Sequence, residues 1–112
     1  MDKQIREVVL SLELQSDLES IFNYGHETFG LRAAESFLAD LIFRVESLAF
    51  NYELYPECVH LKTQARNYRN FFIGSYLVVY RITEHRIEVL RAFHSSRSIN
   101  AVKSSKKLRL SL

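Results

Sequence analysis

Tyr68–Arg97 reads YRNFFIGSYLVVYRITEHRIEVLRAFHSSR. Apolar and polar side chains alternate along it, and a period of two belongs to a strand with one buried face. Gly74-Ser75 falls between FFI and YLVVYRI and suits a two-residue hairpin with glycine at its first central position. Thr83–His85 makes a second, less regular turn. The stretch therefore predicts three antiparallel strands in a meander. Tyr76, Val78, Tyr80 and Ile82 share one face of the middle strand, with Leu77, Val79 and Arg81 on the other. In the last strand Ile87, Val89, Arg91 and Phe93 oppose Glu88, Leu90, Ala92 and His94. A middle strand apolar on both faces needs cover on both sides. Helices would supply one layer, and a partner segment could supply part of the other.

The residues upstream supply those helices. Ile5–Leu12 (IREVVLSL) is rich in apolar and β-branched residues and reads as a first strand. Ser16-Asp17-Leu18-Glu19 has the form of a capping box opening a helix. Leu18, Ile21, Phe22 and Phe29 recur at helical spacing behind it, and Gly30 suits the glycine stop of a helix. A second helix over about residues 32–50 carries an apolar face of Ala34, Phe37, Leu38, Leu41, Ile42, Val45, Leu48 and Ala49. So short a junction folds the two helices into an antiparallel hairpin. Pro56 marks the exit from the second helix, and Tyr52 and Tyr55 pack against its end. The expected fold is α+β: an N-terminal strand, an antiparallel two-helix hairpin, then the three-strand meander, with helices on one face. Residues 1–97 form one domain, and 98–112 form a basic tail that stays mobile until bound.

Composition limits the function. The chain has 112 residues, 47% hydrophobic and 25% charged, which suits one ordinary globular domain. No apolar run reaches the roughly 18 residues of a membrane helix, and MDKQIREVVLSLEL lacks the arrangement of a secretory signal. A single cysteine, Cys58, excludes an internal disulfide and points to a reducing cytoplasmic setting, where it serves as a small apolar filler. No residue pattern calls for a metal or cofactor. The net charge of +2 hides an asymmetry. Residues 1–56 carry four Lys/Arg against ten Asp/Glu, a balance of −6, and residues 57–112 carry eleven against three, a balance of +8. So basic a half suits an anionic partner, either nucleic acid or an acidic protein segment, unless the two halves neutralise each other across the fold.

Four segments in this order resemble the RelE/ParE family of toxins from type II toxin–antitoxin modules. They are Asp17-Leu18-Glu19-Ser20-Ile21 with Tyr24, Phe29-Gly30 with Ala33 and Ala34, Gly74–Ile82, and Ile87–His94 with Arg97. The likeness covers residues 5–97. It implies a growth-inhibiting toxin of the kind that stabilises plasmids, held by a cognate antitoxin in a hetero-oligomer. RelE-like members cut messenger RNA on the ribosome, which requires a base, cations and an acid around the reacting phosphate. Such members carry an arginine where this chain has Leu77, and often a tyrosine near the C-terminal end, where Ser95 and Ser96 follow His94 without one. ParE-like members, similar to proteins that poison DNA gyrase, carry an apolar residue there before a Tyr-Arg pair. Tyr80-Arg81 matches. The resemblance thus favours a binding toxin over an endoribonuclease.

In the nuclease reading the catalytic candidates are Lys62, Arg69, Arg81 and His94; in the binding reading the contact residues are Arg69, Tyr80, Arg81, Arg91, His94 and Arg97. Each has a plainer alternative. His94 could be a structural strand-end histidine, and Arg81 and Arg91 could pair with helix carboxylates. Lys103, Lys106, Lys107 and Arg109 in the tail could hold an acidic antitoxin or only aid solubility.

Overall fold

The computed structural model describes residues 4–96 and 99–108. Strand β1 (Glu7–Leu10) leads into helices α1 (Leu12–Phe29) and α2 (Leu31–Asn51). After a long connection come β2 (Tyr68–Ile73), β3 (Tyr76–Ile82) and β4 (Arg86–His94). Helix α3 (Ile99–Lys103) and a 3₁₀ turn (Ser104–Lys107) follow. The expected α+β order holds.

The four strands form one mixed sheet in the order β1-β4-β3-β2. β2, β3 and β4 are the antiparallel meander, and β1 adds to it parallel to β4, with Glu7 opposite Arg86 and Leu10 opposite Val89. Gly74 has φ +56° and Ser75 does not share its positive φ, which is the pattern of a hairpin with glycine first. A Cβ at Gly74 would also come within 3.2 Å of the Phe37 ring, which would have to give way by a few tenths of an ångström.

Helix α1 begins earlier than its sequence suggests. Its cap is Ser11, not Ser16. The Ser11 hydroxyl accepts from the Leu14 amide at 2.9 Å and donates to the Leu90 carbonyl at 2.6 Å, so the cap is tied to β4 as well as to its own helix. Ser16 and Glu19 lie inside the helix. Leu14 and Ile21 of α1 and Ala34, Leu41, Val45 and Leu48 of α2 are buried, whereas Phe29 is 70% exposed and leaves the expected stripe. The connection at Gly30, φ +95°, reverses the chain within one residue.

The sheet separates two apolar clusters. On the helix face Phe71, Val78, Tyr80, Ile87, Val89 and Ala92 meet the helix stripe. On the second face Tyr68, Val79, Leu90 and Phe93 gather with Cys58, Leu61 and Val102. The second layer is therefore supplied by the chain itself. The tail expected to be mobile contributes helix α3 and the turn after it, with Val102 and Ser105 buried. Burial in this cluster also pushes the Cys58 thiol up from its ordinary pKa, as befits an apolar filler.

Alternation in β4 breaks at a bulge. Val79 faces Arg91 but Tyr80 faces Val89, leaving Leu90 without a partner on β3. Beyond it the faces exchange: Ala92 joins the helix side and Phe93 the second side, the reverse of the simple period-two reading.

Tyr52 and Tyr80 stitch the layers together. The Tyr80 hydroxyl donates to the Tyr52 carbonyl at 2.7 Å, and the Tyr52 hydroxyl to that of Gln4 at 2.8 Å. Burial raises the Tyr80 phenol above its ordinary pKa, outweighing the lowering by Arg69. A raised folded-state pKa means that stability is complete below the unfolded value of about 10 and falls as pH rises beyond it, by about 1.4 kcal/mol per unit. Urea titrations between about pH 9 and 11 are expected to show this alkaline slope. In Tyr80→Phe the slope should flatten, with about 1 to 2 kcal/mol lost at neutral pH from the missing hydrogen bond.

Candidate functional site

Arg81 lies on β3 opposite Glu88 of β4, and Glu88 is 4% exposed. A carboxylate so buried needs a full set of donors. Arg81 Nε donates to Glu88 Oε1 at 2.7 Å and Arg86 Nε to Oε2 at 2.6 Å, so each carboxylate oxygen serves one guanidinium. Arg81 also donates to the Tyr68 hydroxyl at 3.1 Å and to the Leu108 carbonyl at 3.2 Å. Burial opposes the Arg81 charge, but its bonds to Tyr68 and Glu88 outweigh that and leave its pKa above the usual value. Arg81 is thus the centre of a closed network that clamps the end of the C-terminal segment to the sheet. Nothing in the sequence marked Glu88 and Arg86, beyond their alternation with Ile87, as its other members.

Arg91 is committed in the same way. Past Leu10 the β1 side of β4 has no strand, and α1 meets it there through Asp17. Asp17 of α1 accepts from Arg91 Nε and Nη2 at 2.7 and 2.9 Å and from the Ala92 backbone N–H at 3.0 Å. The hydrogen bond with Asp17 is the main reason that the Arg91 pKa is raised. The Arg91 guanidinium also stacks on Phe93 at 4.7 Å. Arg69 donates to the carbonyls of Arg66, Glu53 and Tyr55, pinning the long connection to β2. Tyr80 is fully buried, so it offers no contact surface. Arg97 lies outside the described residues.

The four nuclease candidates do not converge. Arg69 pairs across the sheet with Tyr80 of the helix face, whereas Arg81 is bonded to Tyr68 of the second face. His94 stands opposite Tyr76, five residues along β3 from Arg81, or about 17 Å at strand spacing. Lys62 is exposed on the connection before β2. A phosphate cannot meet all four groups at once.

His94 instead belongs to a groove. Tyr24 and Phe29 of α1, Ala33 and Phe37 of α2, Tyr76 and His94 line a depression of about 360 Å³ near the Gly30 turn that joins the two helices. A second depression of about 330 Å³ continues past Tyr24, Tyr76 and His94 to Ala92, Ser20 and Asp17. Together they make a trough from Phe29 to the Asp17–Arg91 pair, apolar at one end and polar at the other. Tyr76 sits edge-on to His94 at 5.5 Å and tilted against Phe37 at 5.7 Å. Burial, with Tyr24 nearby, raises the Tyr76 pKa and keeps its hydroxyl protonated. The Ser96 backbone N–H donates to His94 Nδ1 at 3.2 Å, and the Ser96 hydroxyl lies 2.8 Å from the same nitrogen. Nδ1 is therefore an acceptor, and the neutral ring carries its proton on Nε2. Tyr24, 55% exposed, is the residue of this trough whose spacing gave least warning: it falls between the apolar positions of α1.

Among the described residues no group of three His, Cys, Asp or Glu side chains could hold a metal ion, and no helix is long and apolar enough to cross a membrane.

Comparison with known proteins agrees with this architecture. Residues 8–99 match the model of the ParE toxin of type II toxin–antitoxin systems. Toxin ParE1 of Mycobacterium tuberculosis is 28% identical over 93 residues, spanning 82% of this chain and 92% of that protein. Toxin ParE1 of Caulobacter vibrioides is 27% identical over 92 residues, with the same shares covered. Among solved structures, a chain of the chromosomal ParDE toxin–antitoxin system from P. aeruginosa superposes with a TM-score of 0.67 at 14% identity. The match covers 82% of this chain and 98% of that one and speaks for the fold.

Proposed function

The chain belongs to the ParE toxin family of type II toxin–antitoxin systems, and from that premise we propose that it is a growth-inhibiting toxin that acts by binding DNA gyrase in the cytoplasm. A cognate antitoxin neutralises it. The observation that carries a binding toxin over a message-cutting one is the dispersal of Arg69, Arg81 and His94 over two faces and both ends of the sheet. Arg81 is further spent on Glu88, Tyr68 and Leu108. Leu77, where a nuclease of this family would carry a cation, packs against the apolar cluster of the second face. In this reading the trough from Phe29 to Asp17 receives an amphipathic antitoxin segment, its apolar side chains beside Tyr24 and Tyr76.

Expression of the chain without its antitoxin is expected to halt growth and raise the DNA-damage response while messages stay intact. The purified chain is expected to inhibit supercoiling by gyrase. Rapid message loss with cuts in ribosome-bound transcripts, abolished by His94→Ala, would overturn the proposal in favour of an endoribonuclease. For the antitoxin, Tyr24→Lys is expected to weaken binding at least tenfold in calorimetry, because it places a charge where an apolar anchor is desolvated.

A further inference from the structure

The cations of this chain fall into two classes. Those of the sheet are bonded within the fold: Arg81 and Arg86 share Glu88, Arg91 holds Asp17, and Arg69 donates to backbone carbonyls. No Asp or Glu follows Glu88 in the sequence, whereas Arg91, Arg97, Lys103, Lys106, Lys107 and Arg109 do. In the C-terminal segment Val102 packs in the second cluster and Ser105 is buried, whereas Lys103, Lys106 and Lys107 are exposed at helical neighbour spacing. Among the described residues none of these ammonium groups has an acidic partner; Lys106 lies over the Tyr68 ring at 5.7 Å. Lys62 is exposed too, and its neighbour Leu61 packs in the same cluster as Val102. The segment that carries the lysines is fixed by Val102, Ser105 and the bond from Arg81 to the Leu108 carbonyl.

We propose that this docked segment is a duplex DNA-binding face, on which Lys62, Lys103, Lys106 and Lys107 contact the phosphate backbone. The residue types choose this partner over an acidic protein. Lysine is depleted at the centre of protein–protein interfaces, which rely on aromatic and apolar anchors. Compact ammonium charges on flexible stems suit sequence-independent contacts to phosphates. Duplex DNA presents the densest row of them, about one charge per 1.7 Å of axis, so lysines three and four residues apart each find one. The face lies behind the sheet, away from the trough beneath the helix hairpin, and the two can be occupied together.

The test is anisotropy of a labelled duplex of about 20 base pairs with the purified full chain. Four phosphate contacts predict a slope of about −3.6 in log affinity against log salt. Lys103→Glu/Lys106→Glu/Lys107→Glu is expected to weaken binding at least tenfold and flatten that slope by about 3, whereas the corresponding arginine variant keeps both. Unchanged binding by the glutamate variant would overturn the proposal. So would capture of polyglutamate without capture of duplex, which would assign the face to an acidic protein, and so would tighter binding of single strands than of duplex. Should the glutamate variant fail to fold, lysine acetylation of the unaltered chain decides. Duplex should protect Lys62, Lys103, Lys106 and Lys107, and equal labelling with and without it overturns the idea. No gyrase is present in either experiment, so failure here leaves the proposed function standing.

Discussion

Glu88→Ala should lower the unfolding free energy by about 4 kcal/mol, read as a drop in the urea midpoint at unchanged slope. Arg81 and Arg86 side chains are only 16% and 13% exposed, and their shared carboxylate is 5% exposed. Removing it leaves two desolvated like charges side by side, the situation in which breaking a buried pair costs several kcal/mol. The native state of a domain this size is stable by only about 5–15 kcal/mol, so much of that margin is lost. The loss should be partly recovered when Arg81 is also replaced, as in Glu88→Ala/Arg81→Met, because the double change removes a charge that the single change strands. A single substitution that costs under about 1 kcal/mol would mean that water already solvates the two guanidinium groups. The same change should loosen the C-terminal segment, since Arg81 holds the Leu108 carbonyl.

Asp17→Ala should cost about 3 kcal/mol, with a local signature. It takes three hydrogen bonds from the stretch of β4 that β1 does not reach, two from Arg91 and one from the Ala92 amide. In hydrogen exchange the Ala92 amide should lose protection by more than amides near Ile82, which faces Ile87 at the far end of the β3–β4 ladder. Asp17→Asn separates the contributions. It keeps an acceptor for the amide but removes the charge, and should cost about half as much. Equal loss of protection throughout the sheet would show that Asp17 acts only on global stability.

Periodicity carried most of the fold into view. The helix hairpin, the glycine-led turn and the meander each follow from local spacing, and the residues predicted for them occupy them. What escaped depended on distant partners. Ser11 is the cap of α1 because its hydroxyl is also anchored to the Leu90 carbonyl, and no local pattern contains that contact. The bulge at Leu90 adds one residue to β4 and reverses its alternation, so a strict period of two misassigns Ala92 and Phe93. The C-terminal segment reads as a solvated tail by charge. Its few inward residues, Val102, Ser105 and Leu108, have meaning only against the apolar second face. The arginines were visible as charges, but whether a charge faces solvent or an internal carboxylate is decided by register and not by residue type.

The pairing of β1 with β4 also bears on synthesis. Ser11 and Leu90 are 79 residues apart in sequence, and every contact between these strands spans a comparable distance. On the ribosome the helix hairpin can collapse early, from neighbours along the chain, but its apolar stripe has no sheet to rest on until the last strand emerges from the exit tunnel. Contacts of such high order form slowly, after the local ones. A nascent chain of this protein is therefore a pair of helices with an uncovered flank, and its native surfaces are completed only after β4 has emerged.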